Sequence, residues 1–121
     1  MTYEEITKSI KAGTIAPVYC LMGEEPYYID RLADYIAENV LAEEERGFNQ
    51  MVIYGQDTDI GSIIAAAKRY PMMAEHQVII VKEAQTLRNM EELVYHLQKP
   101  QPTTVHVFCH MGRLTVARKS L

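Results

Sequence analysis

Four short runs of apolar and β-branched residues recur along this chain, and a helix-length stretch separates each from the next. The runs are Val18-Tyr19-Cys20-Leu21-Met22, Phe48 to Tyr54, Val78-Ile79-Ile80-Val81 within 77–82, and Thr103 to Cys109. Strands spaced this widely cannot pair through tight hairpins and return parallel by crossover connections. The first run is apolar throughout, the form of a central strand buried on both faces. Between the runs the spacing turns helical. Tyr28, Ile29, Leu32, Ala33, Ile36 and Val40 predict a helix over about 27–41, and Ile60, Ile63, Ile64 and Ala67 predict another over 60–69. A helix over about 89–98 stops at Lys99-Pro100-Gln101-Pro102. The chain opens with a helix over 2–12, Thr2 as its N-cap, Glu4 and Glu5 in its first turn and Gly13 as its stop. The order α-β-α-β-α-β-α-β predicts an α/β domain, a parallel sheet with helices on both faces, formed by residues 1–121 as one unit.

Charge narrows the partners. Residues 1–46 hold 10 acidic and 4 basic residues, and residues 47–121 hold 6 and 8, for a net charge of -4. No basic stripe is available to follow a phosphate backbone, so DNA is expected to be met only indirectly. No apolar run reaches 18 residues and no charged-then-apolar leader opens the chain, so the expectation is a cytoplasmic protein without membrane contact. Cys20 and Cys109 lie inside apolar runs and are expected as buried thiols, not a disulfide. Arg113 to Leu121 reads as the opening of a further element, which predicts that the chain is part of a longer protein.

A strand, a glycine turn and a long helix form the place where an α/β domain holds phosphate. A working loop there needs G-x-x-x-x-G-K followed by Ser or Thr: glycines for backbone approach, lysine for charge, a hydroxyl for magnesium. This chain has Gly23-Glu24-Glu25-Pro26-Tyr27-Tyr28-Ile29-Asp30 instead. Glu24 and Glu25 repel a triphosphate, Pro26 removes an N–H, and no lysine follows. At the end of the third strand, Lys82 stands where a magnesium-linked aspartate would be, with Glu83 beside it. Without a metal or a phosphate, Glu83 reads as a solvated carboxylate. The expectation is a degenerate, non-binding site at Gly23, Glu24, Asp30, Lys82 and Glu83, with no cofactor. His106, Phe108 and His110 share a strand face next to Cys109, but strand neighbours are too splayed to close a zinc site, so no metal is expected. Ser9, Ser62 and Ser120 lack a G-x-S-x-G elbow, and the run Glu43-Glu44-Glu45 reads as a solvated loop. No catalytic residue is assigned.

The joint Tyr70-Pro71-Met72-Met73 puts large apolar residues where a loop normally carries polar ones. The plain alternative is a corner tucked into the core. Pro71 breaks the helix and biases Tyr70 away from it, and two consecutive large side chains cannot both enter one core face. The neighbours Lys68, Arg69, Glu75 and His76 suggest a solvated rim, and methionine suits an adaptable binding anchor.

These pieces, in this order, resemble the N-terminal domain of the bacterial DNA polymerase III delta-subunit family, the clamp-loader subunit that opens the ring-shaped sliding clamp. The resemblance is carried by Gly23 to Asp30, Phe48-Asn49, Tyr70-Pro71-Met72-Met73-Ala74-Glu75-His76-Gln77 and the strand ending in Lys82. Leu93 to Pro100 and Pro102 to Phe108 resemble the helix, proline turn and fourth strand of clamp-loader subunits of the AAA+ class. It implies an AAA+-like domain without ATPase residues, within the DNA polymerase III holoenzyme. It also implies an apolar wedge for the sliding clamp (beta subunit) that maps onto Tyr70, Met72 and Met73, here a Met-Met pair in place of a Leu-Phe type. Other clamp-loader subunits would be met through C-terminal domains beyond this chain. Two competing readings are a nucleotide-binding ATPase with an unusual site and a structural interaction domain whose Met pair is buried.

Overall fold

Among the described residues four parallel strands form one sheet, in which the first strand of the chain pairs with the fourth, the fourth with the third and the third with the second. The structure is a computed structural model that describes residues 3–23, 26–98 and 103–111. In chain order the elements are α1 (Tyr3–Lys11), β1 (Val18–Gly23), α2 (Pro26–Val40), α3 (Glu43–Asn49), β2 (Gln50–Tyr54), α4 (Ile60–Ala67), β3 (Gln77–Lys82), α5 (Met90–Leu97) and β4 (Thr104–Met111). Single 3-10 turns at Gly55–Asp57 and Ala84–Thr86 follow β2 and β3.

Strand alternation divides the core in two. Val78, Ile80, Val105 and Val107 point to the face covered by α1 and α2, where Ile6, Ile10, Ile29 and Ile36 pack on them. Ile79, Val81 and Phe108 point to the other face, under Ile60, Ile63 and Ala67 of α4 and Leu93 of α5. Helices on both faces of a parallel sheet are the predicted architecture. β3 and β4 are buried on both sides, as their near-continuous apolar runs require.

β1 departs from expectation. Among the described residues it pairs with β4 alone and stands at one side of the sheet they form. Tyr19 and Leu21 face the α1/α2 core, while Cys20 and Met22 point to the other face and are exposed. Cys109 is the buried thiol, and burial raises its pKa from 9.0 to about 11. The expected pair of buried thiols is therefore corrected to one.

The acidic run is also corrected. Glu43-Glu44-Glu45 begins α3, with three carboxylates in the first turn of a helix where its dipole favours them. Glu45 Oε1 accepts the Ala42 N–H at 2.9 Å and closes that turn. β2 accordingly starts at Gln50 instead of Phe48. Helix α4 is capped by Asp59, whose Oδ1 accepts the Ser62 N–H at 2.8 Å, and it ends at Ala67, two residues short of the predicted 69. Thr2, Lys99 to Pro102 and Arg113 to Leu121 lie outside the described residues.

On the second face, the His106 ring stacks on Phe108 with centroids 5.7 Å apart, and His96 meets it edge-on at 6.1 Å. Neither ring nitrogen of His106 has a hydrogen-bond partner among the described residues. Burial, reinforced by His96, lowers its pKa from 6.5 to about 4 and keeps the ring neutral. Among the described residues no cluster of three His, Cys, Asp or Glu is placed to hold a metal.

Candidate functional site

The joint between α4 and β3 is exposed. Tyr70 is 78%, Met72 62% and Met73 99% accessible, so three large side chains in four residues face solvent. The backbone beneath them is fixed by buried polar groups at both ends. At the helix end, Gln77 on β3 points its amide into the terminus of α4. Its Nε2 donates to the Arg69 carbonyl at 2.7 Å and to the Thr104 hydroxyl at 2.9 Å, with the Ala66 carbonyl at 3.0 Å. The Thr104 hydroxyl in turn donates to the Ala67 carbonyl at 2.7 Å. The last carbonyls of a helix have no partner within it. Pro71 has no N–H to offer the Ala67 carbonyl four residues back, so α4 ends there and two strand side chains supply the donors instead.

At the tip, Asn49 from the end of α3 holds Met72 by both of its peptide groups. Asn49 Oδ1 accepts the Met72 N–H at 2.6 Å, and its Nδ2 donates to the Met72 carbonyl at 2.9 Å and the Glu45 carbonyl at 3.0 Å. Asn49 is itself buried. With Met72 held, the next residue turns sharply: Met73 has φ 55, a left-handed conformation that costs a residue with a side chain roughly 1–2 kcal/mol. The strained residue is also the most exposed one, so strain and apolar exposure coincide at one point.

The second candidate region lies at the opposite ends of β1 and β3. Gly23 ends β1 and Pro26 opens α2, while Glu24 and Glu25 are outside the described residues. Lys82 ends β3, and its Nζ stands 4.0 Å from Oδ1 of Asp30 in α2. Lys82 and Asp30 are thus brought together as an ion pair between the two segments that a nucleotide site would use. Glu83 follows in a left-handed conformation (φ 52, ψ 48). Its carbonyl accepts the Thr86 hydroxyl at 2.7 Å and the Thr86 N–H at 3.1 Å, turning the chain away from the sheet. Gly55 packs against this turn, where an added Cβ would stand 2.5 Å from both the Glu83 oxygen and Thr86 Oγ1.

Asn49, Gln77 and Thr104 had no assigned role in the sequence reading. Each is a polar residue beside or inside a strand that packs against buried apolar neighbours, and such a residue must find a partner. That was the available signal, though it does not say which partner.

A four-stranded parallel sheet in this order, with helices on both faces, has the AAA+-like fold. Residues 19–121 match the family described as DNA polymerase III, delta subunit, and the chain belongs to that family. It is 32% identical to the DNA polymerase III subunit delta of Bacillus subtilis (strain 168), over 85% of this chain and 33% of that protein. Among solved structures it superposes on the Bacillus subtilis DNA clamp loader delta protein (YqeN) with a TM-score of 0.88 at 28% identity, covering 98% of this chain and 38% of that one. A DNA polymerase III gamma subunit-related protein from Thermotoga maritima shares the fold, with a TM-score of 0.68 at 16% identity over 99% of this chain and 43% of that one. The chain spans about a third of the length of the delta relatives it matches.

Proposed function

We propose that residues 1–121 form the N-terminal clamp-binding domain of a clamp-loader delta subunit, which grips the sliding clamp during DNA replication and helps to open it. Tyr70, Met72 and Met73 insert into an apolar pocket of the clamp. The observation that carries this reading is the exposed triad on a backbone fixed by buried polar groups. A folded protein gains nothing by itself from presenting Met73 at 99% exposure in a strained conformation. Burying each methionine at a partner contributes on the order of 1.5–3 kcal/mol, the size of a binding hot spot. Because Asn49 and Gln77 already hold the joint, little ordering entropy opposes docking.

Opening then follows from differential affinity: a wedge that fits the opened clamp better than the closed ring shifts the clamp toward the open form. The domain hydrolyses nothing in this scheme. Gly23, Glu24, Asp30, Lys82 and Glu83 form a nucleotide site that has lost its function, with the Lys82–Asp30 ion pair between its two halves. Other clamp-loader subunits are engaged by parts of the protein beyond this chain, and DNA is met through the assembly.

The test is titration of the full-length subunit with the sliding clamp. Met72→Ala with Met73→Ala weakens binding by about tenfold or more. Its thermal stability stays within about 0.5 kcal/mol of the parent, because the side chains removed touch solvent. Unchanged affinity removes the reading.

A further inference from the structure

We propose that Phe48 is a second anchor of the same docking surface, joined to the wedge by its neighbour Asn49, so that the clamp meets two apolar points and not one. The inference rests on the reading of Tyr70, Met72 and Met73 as the clamp-binding wedge. Phe48 is 78% exposed at the C-terminal end of α3, as open as Tyr70. A single exposed apolar residue is ordinary on a protein surface. Phe48 differs because it is physically tied to the joint.

The tie is Asn49. Its amide holds both peptide groups of Met72, while its backbone is continuous with Phe48. Phe48 and the wedge are therefore two ends of one hydrogen-bonded unit, although they are 24 positions apart in sequence. A small notch of about 60 Å³ beside Phe48 is lined also by Asn49, Gln50, Met51, Arg69 and Gln77. The two residues that fix the joint thus also line a recess beside Phe48.

This geometry specifies the partner surface. It has to be apolar over a breadth that reaches both Phe48 and Met73. A contact outside the wedge also narrows how the partner can turn about Tyr70, Met72 and Met73.

The experiment has two arms, both on the full-length subunit with the sliding clamp. In the first, Phe48→Ala, Phe48→Leu and the Met72→Ala, Met73→Ala pair are titrated side by side. Phe48→Ala is expected to bind about tenfold more weakly and Phe48→Leu within about threefold of the parent. If the methionine pair weakens binding and Phe48→Ala does not, Phe48 is no anchor and the wedge reading stands. If the methionine pair has no effect, both fall. The second arm needs no substitution: hydroxyl-radical oxidation of the parent subunit, free and clamp-bound. Phe48 is expected to be protected together with Met72 and Met73, and equal oxidation of Phe48 in both states overturns the inference.

Discussion

Replacing Asn49 by alanine tests the strut on which the candidate surface depends. The substitution removes three hydrogen bonds, to the Met72 N–H at 2.6 Å, the Met72 carbonyl at 2.9 Å and the Glu45 carbonyl at 3.0 Å. Each is worth about 0.5–1.5 kcal/mol net. Met72 is exposed, so water replaces part of the loss at its peptide groups, and the expected destabilisation is about 2 kcal/mol. For a domain of this size that lowers the melting midpoint by roughly 5–10 °C. The functional effect follows a separate route. Without Asn49 only the Gln77 end of the joint is held, the left-handed Met73 loses its nearest support, and the presented form of the joint becomes one of several. Apparent affinity falls in proportion to the fraction still presented, so a fraction of about one tenth raises the dissociation constant about tenfold. Asn49→Asp keeps the acceptor for the Met72 N–H but turns a carboxylate oxygen toward two carbonyls, and should be at least as damaging. A circular-dichroism melt reads the first effect, and hydrogen exchange over residues 70–76 with a clamp titration reads the second. If Asn49→Ala melts like the parent and exchanges no faster in the joint, the strut argument is wrong.

Two further outcomes concern the scaffold. His106 is held neutral in the fold with a pKa of about 4, below its ordinary 6.5, so the unfolded chain binds more protons between those values. Stability contributed by the neutral ring is complete above about pH 6.5 and is lost as pH falls toward 4, by up to about 3 kcal/mol. His106→Leu should flatten that part of the stability profile; parallel profiles for parent and variant would contradict it. Gly55→Ala drives a methyl group to 2.5 Å from the Glu83 carbonyl and Thr86 Oγ1, and overpacking of this kind costs about 1–3 kcal/mol. A lowered urea midpoint with an unchanged slope checks it.

How far the fold was legible depended on whether the controlling interactions were local. β3 was readable because Val78 to Val81 needs burial on both faces wherever it lies, and α4 because Asp59 caps a run of helical spacing. β1 was expected to be buried on both faces but leaves Cys20 and Met22 exposed among the described residues, because an apolar run does not say what will cover it. Helix α3 was missed because Ala42 is not a capping type, and the Glu45 side chain does the capping instead. At the candidate site, Pro71 and two adjacent bulky residues argued for exposure of Tyr70, Met72 and Met73 but left a corner tucked into the core open, and the family resemblance tipped the reading. The supports were not legible. Asn49 and Met72 are 23 positions apart, and Gln77 reaches Thr104, 27 positions on, only because β3 and β4 lie side by side. Polar pairing over such distances has no periodicity to betray it.

The register of the sheet also sets an order of assembly. Gln50 pairs with Val78 and Gln77 with Thr104, separations of 28 and 27 positions, whereas Val18 pairs with His106, 88 positions on. Closing a loop costs more as it lengthens, and pairs distant in sequence form slowly. β2, β3 and β4, with α4 and α5 between them, therefore make the short-range seed. β1 can rest against α2 early but gains its strand partner only after β4 is available. During synthesis from the N-terminus, β1 leaves the ribosome long before β4, the strand it pairs with among the described residues. Of the four described strands, the earliest in sequence is the last to be paired.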